Sequence, residues 1–260
     1  MKIKNLIIKS FHLLLVISLI SGCKSDEKSN SLEVNQTKLE FRKLGKEKPT
    51  IIFENGMGSK IETWKTIPDS ISKTSQVFLY NRAGVGNSKL SGRKRTIPNM
   101  VEELRTLLKN ENIEPPYIYV AHSMGSYLAR YFASNYPNEV KAVLLVDPSP
   151  NKMYDEYSEK EFNDFKKIGD DSFSKAGEGE KLEWKNYLEN RKYVRNLKIS
   201  NDIPIVIVSA TQWDFSKYHK EMLNENTFSK HIIEEGGHDI HQEKPEFIIN
   251  LIEELIAIEN

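Results

Sequence analysis

Apolar and polar positions along this chain follow two periods, and the switches between them predict its elements. Residues 37–42 alternate one by one and suit an exposed early strand. Thr50-Ile51-Ile52-Phe53-Glu54 is a nearly continuous apolar run, closed by Asn55-Gly56-Met57-Gly58, as in a strand buried on both faces. Residues 76–80, 117–120, 140–146, 203–208 and 231–233 repeat that pattern. Helical spacing fills the gaps. Ile61, Trp64, Ile67 and Ile71 fall close to it, although Pro68 interrupts. Residues 100–109 place Val101, Leu104, Leu107 and Leu108 on one face. Glu102 and Glu103 lie near the start of that helix, where its dipole favours negative charge. A further helix follows Ser123 and is stopped by Pro137, and residues 246–258 close the chain as an amphipathic helix. Strands alternating with helices predict an α/β fold, with a mostly parallel central sheet and helices on both faces.

One stretch breaks the rhythm. Between Asp147 and Ile203 no strand is evident. Residues 157–168 and 181–196 carry charged and aromatic side chains at helical spacing, with Gly177 and Gly179 between them. An insertion of this size between two strands predicts a helical cap, at about 148–202, over whatever site the sheet carries. The alternative is a two-helix excursion packed away from that site.

Composition sharpens the organisation. A chain of 260 residues without internal repeats suits one undivided α/β domain, here 34–260. Its 37 basic and 37 acidic residues are spread evenly, so no basic stripe marks a nucleic-acid partner. Lys2, Lys4 and Lys9 precede a short apolar run over 11–20, the pattern of a secretory signal peptide at 1–22. The run is shorter than the about 20 residues of a membrane span. Ile20-Ser21-Gly22-Cys23 resembles a bacterial lipobox, which implies cleavage before Cys23 and acylation of that residue. Cys23 is the only cysteine, which excludes an intrachain disulfide and a thiol nucleophile in the globular part. Residues 23–33 read as a polar tether. Ser25-Asp26-Glu27 within it resembles acidic surface-export signals of lipoproteins. The expected location is therefore the cell envelope, anchored to a membrane and facing the periplasm or the exterior.

The candidate chemistry centres on Ala121-His122-Ser123-Met124-Gly125, between a strand and a helix. A serine flanked by small residues at such a junction has the arrangement of a nucleophile elbow, with Ala121 in place of the first glycine of G-x-S-x-G. Three further segments accompany it: Asn55-Gly56-Met57-Gly58, the turn from Asn81 to Ser88, and Gly236-Gly237-His238. Together, in that order, they resemble the α/β-hydrolase superfamily from about residue 34 to the end. The resemblance implies Ser123 as nucleophile and His238 as its base. It places the acid after the 203–208 strand, at Asp214, with Asp147 as the alternative. It implies an oxyanion hole from the backbone amides of Met57 and Met124. The turn at 81–88 resembles the superfamily's D-x-R-G-x-G-x-S, with Asn81 replacing the acid and an alanine at position 83, and reads as scaffolding. His241 reads as a neighbour of the base, His122 as pointing away from Ser123, and His219 and His231 as structural or exposed. Scattered histidines without a His-x-x-x-His pair predict neither metal nor cofactor.

These residues imply a serine hydrolase acting on a small-molecule carboxylic ester or thioester through an acyl-enzyme. A serine at the nucleophile position disfavours dehalogenase chemistry, which the superfamily runs on an aspartate. Two other readings stand beside it. An aminopeptidase or amidase on the same fold would need an acidic cap pocket, for which Glu156, Glu159 and Glu161 are the candidates. A catalytically silent ligand-binding lipoprotein would keep only the pocket.

Overall fold

The computed structural model describes residues 29–259. The signal peptide over 1–22, Cys23 and most of the predicted tether lie outside the described residues. Eight strands form one sheet in the order β1-β2-β4-β3-β5-β6-β7-β8. They are β1 (Asn30–Val34), β2 (Thr37–Leu44), β3 (Thr50–Glu54), β4 (Gln76–Tyr80), β5 (Tyr117–His122), β6 (Val140–Val146), β7 (Ile205–Ala210) and β8 (Lys230–Glu234). β1 and β2 run antiparallel to their neighbours, and β3 to β8 are mutually parallel. The order reverses around β3, so the carboxyl ends of β3, β5 and β6 lie side by side, where open parallel sheets carry their sites.

The central strands read as apolar runs because both faces are covered. On one face Ile52, Tyr119, Val143 and Ile207 pack under the helices Ile97–Asn110 and Gly125–Asn135. On the other, Phe53, Val120, Leu144 and Val208 meet Trp64, Ile67 and the closing helix Pro245–Ala257. Each buried branched or aromatic side chain contributes about 1.5–3 kcal/mol relative to exposure.

The first strands depart from expectation. β1 occupies residues 30–34, most of which read as tether. The hairpin to β2 turns through Asn35 and Gln36, both at positive φ (49° and 67°). A two-residue turn of that kind is usually announced by glycine, and here it is not. With β1 on one side and β4 on the other, β2 is internal to the sheet, and Leu39, Glu40 and Phe41 are buried rather than exposed. Residues 60–71 divide into a 3-10 turn (Ile61–Trp64) and a short helix (Ile67–Ile71), because Pro68 is tolerated in a first turn but not within a helix. Pro98 and Pro245 likewise open their helices.

The cap consists of the helices Glu159–Phe173 and Glu178–Asn190. A capping box between Ser158 and Glu161 starts the first. Trp184 of the second lies flat on Gly169 of the first, where a Cβ would sit 1.8 Å from the indole. The second helix also docks on the turn after β4. Gly179 meets Gly84 so closely that a Cβ on Gly179 would fall 2.2 Å from the Gly84 carbonyl oxygen. No helix among the described residues is long and apolar enough to cross a membrane.

Candidate active site

Ser123 follows β5 directly and has φ 49°, a left-handed conformation rare for a residue with a Cβ. Three backbone hydrogen bonds hold it there. Its amide donates to Val146 (3.1 Å), and its carbonyl accepts from Ser126 (3.0 Å) and Ser149 (3.1 Å). The small neighbours are sterically required. A Cβ on Gly125 would meet the backbone oxygens of Asn55 and Glu54 at 2.7 and 2.8 Å. A Cβ on Gly56 would lie 2.9 Å from His122 Nδ1. Ala121 is fully buried in β5, so the extra methyl is absorbed by the core.

His238, in the loop after β8, brings Nε2 to 2.9 Å from Ser123 Oγ. Its Nδ1 lies 2.5 Å from Asp147 Oδ2. A carboxylate only accepts, so Nδ1–H faces Asp147 and Nε2 is left to accept from the Ser123 hydroxyl. Asp147 closes β6 and is 1 % exposed. Its amide donates to Val208 (2.7 Å) and its Oδ1 accepts from the Ala210 amide (3.0 Å), which fixes the carboxylate in rotation.

The acid beside His238 is therefore Asp147, and Asp214 is not in the series. β7 continues to Ala210, past the 203–208 run, and the loop beyond it aims other groups at the imidazole. Gln212 Oε1 accepts from the His238 amide at 2.6 Å, and the Trp213 ring lies 4.7 Å from the imidazole. Asp214 faces solvent and accepts from Ser216 Oγ at 3.3 Å. Asp147 carried a local signal: a lone carboxylate ending a seven-residue apolar strand.

The remaining histidines support this series from behind. His122 points away from Ser123, and its Nε2–H donates to the His238 carbonyl at 2.9 Å. Burial, reinforced by the adjacent His238, lowers its pKa to about 4 and keeps it neutral. His241 is buried between Trp64 and His122, with ring centroids at 4.7 and 4.3 Å, and burial holds its pKa well below the ordinary value. His219 and His231 belong to a second chain. The Ser209 hydroxyl accepts from His231 Nε2 (2.7 Å) and donates to His219 Nδ1 (2.6 Å). His219 Nε2–H then donates to the Pro148 carbonyl (2.6 Å), next to Asp147. Burial lowers the His219 pKa to about 4. The fold also gathers His122, Asp239 and His241, distant from a metal-ligand spacing in sequence, with ligand atoms within 4.8 Å of one another. Within that group His122 Nε2–H donates to the His238 carbonyl, and the His122 and His241 rings pack against each other.

Opposite His238 lies the loop after β3. Asn55 ties this loop to its surroundings. Its amide donates to the Tyr80 carbonyl (2.9 Å) and its oxygen accepts from Trp64 Nε1 (2.8 Å). Met57 lines the cavity beside Ser123. Met124 begins the elbow helix, with its side chain buried in the core instead of the cavity. Below the loop, Arg82 pairs with Glu54 (2.8 Å) and with Glu183 of the cap (2.6 Å), all three nearly inaccessible. Periodicity did not reveal these partners, because a charge at the end of a buried strand or inside a cap helix has no local signature. Asn81 bridges Ile61 (3.0 Å) and Glu40 (2.6 Å), so the amide, unlike an acid, can stand beside a second carboxylate.

These elements enclose a cavity of about 180 Å³. Ser123, His238, Ser59 and Asp239 are among its polar lining, while Met57, Met153, Tyr154, Phe165, Phe173, Tyr187, Trp213 and Phe215 form apolar walls. The cap thus lies over the site. Its predicted acids do not reach it. Glu156 accepts from Lys217 (3.0 Å) and Tyr218 (2.7 Å), and Glu161 caps its own helix.

Residues 49–180, just over half of the chain, match the model of the alpha/beta hydrolase fold, and the chain belongs to that family. Among curated proteins it is similar to an uncharacterised Bacillus subtilis protein, YqjL, at 28 % identity over 218 residues, covering 76 % of this chain and 80 % of that one. It is also similar to the human (lyso)-N-acylphosphatidylethanolamine lipase, at 28 % over 101 residues, 38 % of this chain and only 30 % of the lipase. Among solved structures, an epoxide hydrolase from Vigna radiata superposes with a TM-score of 0.69 at 15 % identity, covering 91 % of this chain and 99 % of that one. The enol-lactonase from Burkholderia xenovorans gives 0.66 at 16 %, covering 88 % and 100 %. Identities this low are likenesses of fold.

Proposed function

We propose that this chain is a serine hydrolase that cleaves a carboxylic ester, or a thioester, through an acyl-enzyme. The observation that carries the proposal is the hydrogen-bonded series Ser123–His238–Asp147 opening onto an apolar cavity. His238 Nε2 accepts the Ser123 proton as Oγ attacks the carbonyl, and Asp147 stabilises the imidazolium that results. The Met57 and Met124 amides receive the charge that develops on the carbonyl oxygen. The proton on His238 passes to the departing alkoxide or thiolate. Water, deprotonated by His238, then attacks the acyl carbon and releases Ser123.

The nucleophile separates this reaction from that of the epoxide hydrolase neighbour. Serine attack on an epoxide carbon would leave an ether, which a water activated by His238 does not cleave. Attack on an acyl carbon leaves an ester, which it does. The amidase reading loses the carboxylates it needs, since none of Glu156, Glu159 and Glu161 lines the cavity. Among the residues lining the cavity, Asp239 is the lone carboxylate. The lipobox-like Ile20-Ser21-Gly22-Cys23 supports a protein acylated at Cys23, acting at a membrane surface outside the cytoplasm.

The apolar walls predict an uncharged acyl group. Turnover of p-nitrophenyl butyrate should exceed that of the p-nitrophenyl hemisuccinate of similar length by at least about tenfold, because the carboxylate would enter an apolar cavity without a partner. Ser123→Ala should abolish both activities. Undiminished turnover in that variant would refute the proposal.

A further inference from the structure

Three polar backbone groups of the loop that carries Met57, the Asn55 and Gly56 carbonyls and the Gly58 amide, are held by Arg82 and Glu183. The Asn55 carbonyl accepts from Arg82 Nη1 at 2.7 Å, and the Gly56 carbonyl from Arg82 Nη2 at 2.6 Å and the Ser59 amide at 3.2 Å. The Gly58 amide donates to Glu183 Oε2 at 2.8 Å. The Gly56 carbonyl and the Met57 N–H belong to one planar trans peptide, so they point in opposite directions. Drawing the carbonyl down onto Arg82 therefore turns the Met57 N–H up, towards the cavity that Gly56, Met57 and Ser123 line together.

What orients Arg82 is a carboxylate from the cap. Glu183 takes Arg82 Nε at 2.6 Å and Nη2 at 2.8 Å, a two-point grip that fixes the plane of the guanidinium. Glu183 is one helical turn beyond Gly179, on the same helix face, and Gly179 is the residue pressed against Gly84. The register of the cap helix and the position of the carboxylate are thus set by one contact. Glu54 provides the other charge, accepting from Arg82 Nη1 and from the hydroxyls of Tyr80 (2.6 Å) and Tyr119 (2.9 Å).

We infer that Glu183 is a positioning residue: through Arg82 and the Gly58 amide it holds the 56–57 peptide with the Met57 N–H aimed at the substrate oxyanion, so the oxyanion hole is complete only while the cap helix is docked. This rests on the reading of Ser123 as the acylating nucleophile. Docking of the cap then closes the apolar cavity and aligns the hole in one movement.

Glu183→Gln tests it, since the carboxamide keeps the shape and leaves Arg82 paired one-to-one with Glu54. Its amide NH2 then faces an arginine donor, and the two-point grip is lost. With p-nitrophenyl butyrate, kcat should fall about 10–100-fold, short of the 10²–10³ for deleting an oxyanion donor outright. KM should stay within about threefold, because the lost interaction belongs to the transition state. The infrared band of the acyl-enzyme carbonyl should move to higher wavenumber, reporting weaker hydrogen bonding. Arg82→Lys keeps the charge but not the fork, and should show the same kcat loss and band shift if Glu183→Gln fails to fold. A folded variant with wild-type kcat and an unshifted band would overturn the inference, as that is what a purely structural ion pair predicts. Absence of an acyl-enzyme in the wild type would instead overturn the reading of Ser123.

Discussion

Asp147 reaches Ser123 through a single imidazole, and its burial gives that link its force. A carboxylate that is 1 % exposed, locked by the Ala210 amide, holds His238 in one tautomer and one orientation. Asp147→Asn should reduce kcat by about 10⁴ while leaving the fold intact, because the amide would present a donor to Nδ1–H. Asp214→Asn should stay within about twofold of wild type, since its nearest partner is Ser216. Steady-state kinetics of the two variants check both expectations, and equal losses would contradict the geometry. Ser123 and His238 were legible because each sits in a short glycine-marked segment. The acid was not, because two strand ends offer an aspartate and the choice depends on where β7 stops. Two further residues in that loop, Gln212 and Trp213, turn towards His238 while Asp214 turns away, and no local pattern encodes that.

At the scale of elements, the elbow helix and β3 are pressed together at Gly125. On helix propensity alone, Gly125→Ala would stabilise by about 0.8–1.0 kcal/mol. The added Cβ would sit 2.7–2.8 Å from two backbone oxygens of β3 and its loop, and overpacking of that kind costs about 1–3 kcal/mol. The clash wins, so the variant should melt lower than wild type and lose activity as the 55–58 loop shifts. Calorimetry and turnover measured together test this, and a raised melting temperature would refute it. Buried parallel strands were legible as apolar runs, and the cap helices from their aromatic spacing. β1 escaped notice because its turn, Asn35-Gln36, carries positive φ without glycine, and its polar residues resemble a linker. The docking of the cap through Gly84, Gly179 and Glu183 was equally hidden, since it joins segments about 100 residues apart.

Across the whole molecule, the sheet places the serine, acid and base after the carboxyl ends of β5, β6 and β8, and buried neutral histidines lie behind them. His122 and His219 are depressed from 6.5 to about 4 in the folded protein. Below about pH 6.5 the unfolded chain takes up protons that these two residues refuse. The unfolded state then binds more protons, and stability falls as pH drops from about 6.5 towards 4. The urea midpoint should decrease over that window, and His219→Gln should flatten the slope; a midpoint that rises on acidification would contradict the burial of these rings. Ser123 is activated by His238, which Asp147 holds in place. The most direct test of this is the labelling rate of the protein with a fluorophosphonate, followed by intact and peptide mass spectrometry. The account predicts one adduct, on Ser123, formed rapidly by wild type and Asp214→Asn, slowly by Asp147→Asn, and never by Ser123→Ala. A folded wild-type protein that takes no label, or an adduct on another residue, would contradict it.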